Sequence, residues 1–138
     1  MSLLLPQPEG IPAPRPTLRS QAYWEGCRAH RLRYQRCSEC SFRGLGAFTV
    51  CAQCHSTSPV WKESAGTASL YSWTVVWRPP DPSFQVPYAP AVVRLDEGFW
   101  MLSAIIGCEP AELHDGLRVG VEFHPASDDI TLPYFRPI

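Results

Sequence analysis

From residue 67 onward the chain alternates between apolar and polar positions with a period of two. In TASLYSWTVVW, residues 67–77, the residues Tyr71, Trp73, Val75 and Trp77 share one face of a strand. PAVVRLD, residues 90–96, sets Ala91, Val93 and Leu95 on one side and Arg94 and Asp96 on the other. FWMLSAII, residues 99–106, is apolar on both faces, the pattern of a central strand, and Asp96-Glu97-Gly98 before it is a tight-hairpin signal. EPAELHDG, residues 109–116, reads as a short helix closed by Gly116. RVGVEFH (118–124) alternates through Val119, Val121 and Phe123, and ITLPYF (130–135) is a last strand whose Pro133 suits an edge. Three strands, a short helix and two strands follow the order of a five-stranded OB barrel.

Upstream the pattern differs. Residues 1–19 hold Pro6, Pro8, Pro12, Pro14 and Pro16, a density that prevents helix and sheet and predicts an extended arm. In SQAYWEGCRAH (20–30), Ser20 can cap a helix, and Tyr23, Trp24 and Cys27 form its apolar face. RLRYQRC then alternates as a strand, with Leu32 and Tyr34 on one side and arginines nearer the other.

That strand runs into CSECSFRGLGAFTVCAQC, residues 37–54, which holds two CxxC pairs. Two such pairs across a short loop bring Cys37, Cys40, Cys51 and Cys54 to the corners of a tetrahedron, about 2.3 Å from a zinc ion. Gly44 and Gly46 supply the turn between the knuckles. Iron in a rubredoxin-like site is the other metal this set accepts. A redox CxxC would open a helix after a buried strand, a setting absent here. Because sulfur fills all four positions, no site is left for water or substrate, so the metal is structural. Cys27 and Cys108 lack a neighbouring base and read as small buried side chains.

The segments divide into an arm at 1–19, a helix plus ribbon at 20–62 and an OB-fold domain at 63–138. The fold class is mainly β.

Composition supports a folded chain: 45% of the residues are apolar and sixteen are aromatic. No apolar run nears the eighteen or so residues of a membrane span. MSLLLPQPEG lacks the basic start and full apolar stretch of a signal peptide, which points to the cytoplasm, where thiols stay reduced. Charge is uneven. Residues 1–62 carry eight bases and three acids, residues 63–138 four bases and ten acids. OB and ribbon folds also bind single-stranded nucleic acid, but such grooves need bases along the phosphate track, and the acidic barrel half disfavours that reading. The four histidines, His30, His55, His114 and His124, are scattered, and no nucleophile–base or paired-carboxylate motif accompanies them.

YWEGCRAHRLRYQRCSEC, CAQC, SAGTASLYSWTVVWRPPDPSF, PYAPAVVRLDEG and LPYFRP together resemble the zinc-ribbon plus OB-fold proteins associated with thiolase-like enzymes, a family long known only as a domain of unknown function. The resemblance runs from about Tyr23 to Pro137. It implies a helical segment and ribbon ahead of the barrel, with Cys37, Cys40, Cys51 and Cys54 binding zinc. Members of the family act as non-catalytic partners of thiolases, of archaeal hydroxymethylglutaryl-CoA synthase, or of lipid-transfer-type thiolase-fold aldolases acting on acyl-CoA. Departures are Ala89-Pro90 and Arg94 where relatives continue with valines and a neutral or acidic residue, and His55 where glycine is common. The expected role is an accessory subunit of a thiolase or of a retro-aldolase of lipid or steroid side chains. The loop RPPDPSFQVPYAP (78–90), stiffened by five prolines, displays Phe84, with Trp77 and Arg78 at its base, and these three are the candidate contacts to acyl-CoA or the partner.

Overall fold

The computed structural model describes residues 2–138. The chain is mainly β, with one short helix, α1 (Gln21–Arg28). α1 is followed by β1 (Arg33–Cys37), β2 (Arg43–Gly44) and β3 (Pro59–Glu63), which form a small sheet in the order β2-β1-β3. Then come β4 (Thr67–Trp73), β5 (Ala89–Leu95), β6 (Trp100–Ile105), β7 (Arg118–Pro125) and β8 (Thr131–Pro137), closed as a barrel in the order β4-β5-β6-β8-β7. That is the OB order read from the alternation. Ala91, Val93 and Leu95 point inward, with Arg94 outside. β5 and β6 form a hairpin through Gly98, whose φ of 101° only glycine adopts without strain. β6 and β8 close the barrel through one parallel pair, Ile105 with Phe135.

Four expectations need correction. The strand from residue 67 ends at Trp73, not Trp77, and a bulge between Leu70 and Ser72 shifts its register. The shift breaks the single face predicted for its aromatics: Tyr71, Trp73 and Trp77 are exposed, while Val75 packs on the core. β6 is not apolar-buried on both sides. Met101 and Ile105 are inside, but Trp100 and Leu102 face outward. Residues 109–116 hold only a 3₁₀ turn, Pro110–Glu112, because Pro110 and the capping pair of Glu109 with Glu112 start a turn that Leu113 leaves in extended geometry. Ser20 stands at the N-cap, yet its hydroxyl accepts from the Thr17 N–H (2.9 Å) and gives α1 no side-chain cap.

α1 ends at a left-handed His30 (φ 60°), where the His30 and Arg31 N–H groups return to the carbonyls of Cys27 and Gly26. A side chain at Gly26 would stand 2.7 Å from the Arg31 carbonyl oxygen, so glycine here lets α1 lie against the approach to β1.

One apolar cluster runs through the molecule. It holds Leu4 from the arm, Cys27 from α1, Leu32 and Tyr34 beside the ribbon, and the barrel interior from Ala68 to Phe135. The proline arm lies along the barrel: the Leu4 N–H donates to the Cys108 carbonyl, and the Gly107 N–H donates to that of Leu4 (both 2.8 Å). Burial of Leu4 and Ile11 holds this otherwise unstructured segment in place. Among the described residues, no helix is long and apolar enough to cross a membrane.

Candidate metal centre and exposed binding face

The two CxxC pairs fold into matching knuckles. The first closes with the Ser41 N–H donating to the Cys37 carbonyl (3.0 Å), the second with the His55 N–H donating to that of Cys51 (2.9 Å). Ser41 and His55 both take a left-handed backbone, with φ of 67° and 66°. This is the conformation glycine adopts most readily, so the residues after the two knuckles occupy equivalent, mildly strained positions.

The four sulfurs all lie within 4.8 Å of one another. The Cys37 and Cys54 Sγ atoms are 3.6 Å apart, and those of Cys40 and Cys51 3.5 Å. A tetrahedral ion with 2.3 Å bonds to sulfur needs edges of about 3.8 Å, so the set fits such an ion with little movement. Among the described residues no other group of three or more His, Cys, Asp or Glu side chains converges in this way.

The electrostatics agree with a cation. The backbone N–H of Cys40, aided by that of Glu39 and by the Cys54 thiol, holds the Cys37 thiol down at about 6. At Cys54 the Ser56 N–H acts in the same direction, but desolvation and the three other cysteines outweigh it and push the thiol up to about 12. Four thiolates do not share this space unaided, and a divalent ion removes the conflict. Gln35 braces the ribbon from below: buried on β1, its Oε1 accepts the Phe48 N–H at 2.6 Å. The spacing gave no sign of this residue, which sits in an ordinary strand pattern.

The remaining thiols stand apart from the cluster. Cys27 and Cys108 are buried, and burial first of all raises both, Cys27 to about 11. The histidines are dispersed: His30 stacks on Phe123, and His114 meets the Asp115 carbonyl. His124 is half-buried and bonds Glu122 at 2.6 Å. Glu122 is also held by Arg136, whose Nε donates at 2.9 Å. None of the four histidines bonds a Ser, Thr or Cys side chain among the described residues, so no histidine is placed to activate a hydroxyl or thiol there.

An apolar groove of about 320 Å³ lies where β6 and β8 separate. Phe84 and Tyr88 form one wall, stacked with ring centroids 5.7 Å apart, and Tyr23 and Trp24 of α1 form another. Of the three candidate contact residues, only Phe84 lines this groove. Trp77 stands 60% exposed, and Arg78 is exposed without an ion pair among the described residues.

Residues 61–124 match the family described as ChsH2, C-terminal OB-fold domain. The chain is 36% identical over 126 residues to a probable enoyl-CoA hydratase alpha subunit of Thermomonospora curvata, across 90% of this chain and 40% of that protein. It is 30% identical over 122 residues to the 3-oxo-4,17-pregnadiene-20-carboxyl-CoA hydratase alpha subunit of Mycobacterium tuberculosis, across 81% of this chain and 36% of that one. It thus spans about two-fifths of the length of these curated relatives. A chain of the Ltp2-ChsH2(DUF35) aldolase superposes with a TM-score of 0.83 at 32% identity, covering 91% of this chain and 98% of the solved one. That likeness covers nine-tenths of the chain, and the protein belongs to the DUF35 family of OB-fold proteins.

Proposed function

We propose that this chain is a non-catalytic subunit that binds and stabilises a thiolase-fold acyl-CoA enzyme, a thiolase or a retro-aldolase of lipid or steroid side chains. The observation that carries the reading is the near-complete superposition on the DUF35 chain of an aldolase. Two relatives whose names carry CoA thioesters point to the same substrate class, one of them a steroid-derived acyl-CoA.

On this reading Cys37, Cys40, Cys51 and Cys54 hold a structural zinc ion, which supplies cross-linking and no chemistry because sulfur saturates it. The arm (1–19), the helix and ribbon (20–62) and the barrel (63–138) act as one body in the cytoplasm. Trp77, Arg78 and Phe84 help form the acyl-CoA site at the shared interface. The indole offers a stacking face, the guanidinium pairs with a nucleotide phosphate, and Phe84 gives apolar contact to the acyl portion.

The test is isolation of the native protein at high salt, identification of what accompanies it, and an acyl-CoA turnover assay with and without this chain. A thiolase-fold companion, active with the chain and not replaced by it, supports the reading. Turnover by the chain alone, or salt-sensitive capture of single-stranded oligonucleotides in place of a protein, overturns it.

A further inference from the structure

The outer surface of β4, β5 and β6 carries an apolar patch that the fold leaves uncovered. On β6, Leu102 is 71% and Trp100 47% exposed, and on β4 Tyr71 is 55% exposed. The Tyr71 and Trp100 rings meet edge to face with centroids 4.3 Å apart, so they form one continuous surface. Val92 pairs with Leu102 across the β5–β6 ladder and carries the patch toward Pro90, which with Leu102 also lines the apolar groove between β6 and β8. Contiguous exposed aromatic and aliphatic surface of this kind marks an interaction site on a soluble protein.

A charge stands inside it. Arg94 lies on the outer face of β5, between Ser69 of β4 and Trp100 of β6 in the ladder. Its side chain makes no hydrogen bond or ion pair with any described residue. The neighbouring carboxylate is unavailable: Asp96 is gripped by Arg118 through two bonds of 2.8 Å and by the Thr67 hydroxyl. Arg136, likewise, is committed to Glu122. The barrel half carries four bases and ten acids; Arg118 and Arg136 are paired within the chain, whereas Arg94, like Arg78, is not, and Arg94 is the one that stands in the apolar patch.

Resting on the reading above, we infer that this β4–β5–β6 face is where the thiolase-fold partner docks, with an apolar segment laid over Tyr71, Trp100 and Leu102 and an Asp or Glu of that segment facing Arg94. A second copy of this chain is the wrong occupant. A two-fold interface centred here would bring Arg94 toward its own symmetry mate, and the nearby Asp96 is already committed. Bulky aromatics at the centre and a desolvated arginine are the residue types that dominate binding energy at such faces.

The test uses the full-length chain and the thiolase-fold protein isolated with it. Amide hydrogen exchange is measured on the chain, free and in the complex, and the dissociation constant is measured for R94E, L102K and the ribbon variant V60K. New protection is expected across β4, β5 and β6, with R94E and L102K each weakening binding at least tenfold, V60K unchanged, and all three melting like the parent. A complex that protects the ribbon instead, or that tolerates R94E and L102K, overturns this placement while leaving the proposed function standing. Failure of any thiolase-fold protein to bind removes both. Protection of this face by self-association or by an oligonucleotide overturns the placement as well.

Discussion

The Tyr34 ring lies against the Phe99 ring with centroids 4.8 Å apart, and this stack joins the ribbon to the barrel. Tyr34 comes from β1, immediately before the first knuckle, and Phe99 from the turn between β5 and β6. Glu97 in that turn reinforces the junction: its carboxylate accepts from the Ser64 hydroxyl and the Ala65 N–H, both at 2.8 Å, and its carbonyl accepts from Arg43. Phe99→Ala is therefore expected to cost about 3–5 kcal/mol. Urea unfolding measures the loss, and a cost below about 1 kcal/mol would mean that the ribbon and barrel are held together elsewhere.

The sulfur cluster predicts a single tightly held metal ion. Elemental analysis of purified protein is expected to find zinc, and Cys51→Ser or a strong chelator to unfold the ribbon cooperatively. Because the ligands bind as thiolates, protons compete with the metal, so the ion should be released as pH falls and regained on neutralisation. Metal-free protein with an unchanged melting profile would contradict the assignment.

The residues after the two knuckles offer a stabilising change. His55 is held at φ 66° and is exposed, so its side chain contributes little to set against the backbone strain. His55→Gly is expected to raise the ribbon's stability by about 0.5–1 kcal/mol, relief of left-handed strain outweighing the freer unfolded chain. Thermal melting with metal bound measures the gain.

The Asp96–Arg118 pair predicts a small acid sensitivity. Arg118 first, then the Thr67 hydroxyl, holds the Asp96 carboxyl down at about 2, below its ordinary 3.8. A carboxyl lowered in the folded state adds stability above its unfolded value, and that contribution is lost as pH falls from about 4 toward 2. The pair is partly exposed, so solvent screening limits it to about 0.2–1 kcal/mol. Asp96→Asn should show this deficit at pH 7, with the gap to the parent closing near pH 2 in denaturant titrations.

What the sequence disclosed and what it hid follow from the range of the forces involved. The knuckles were legible because Cys37 and Cys40, or Cys51 and Cys54, meet through a local turn that spacing alone encodes. β5 and β7 were legible because one face is buried and the other wet. The bulge after Leu70 was not, since a single unpaired residue leaves no compositional mark, and it re-aimed the aromatics that followed. Trp100 and Leu102 looked like core because an apolar residue reads the same whether its own fold or another protein covers it. The seat of the arm was hidden because Leu4 packs on segments more than a hundred residues away. The metal set needed only the sequence, whereas the groove between β6 and β8 needed the closed barrel.

On the proposed function this polypeptide is built to be held by another. Sedimentation of the purified chain mixed with the proposed thiolase-fold companion, in 0.5 M salt and with acyl-CoA turnover followed in the same samples, measures that in one experiment. A stable heteromer whose activity disappears without the companion is the predicted result. A chain that sediments alone and turns over the thioester unaided would contradict it.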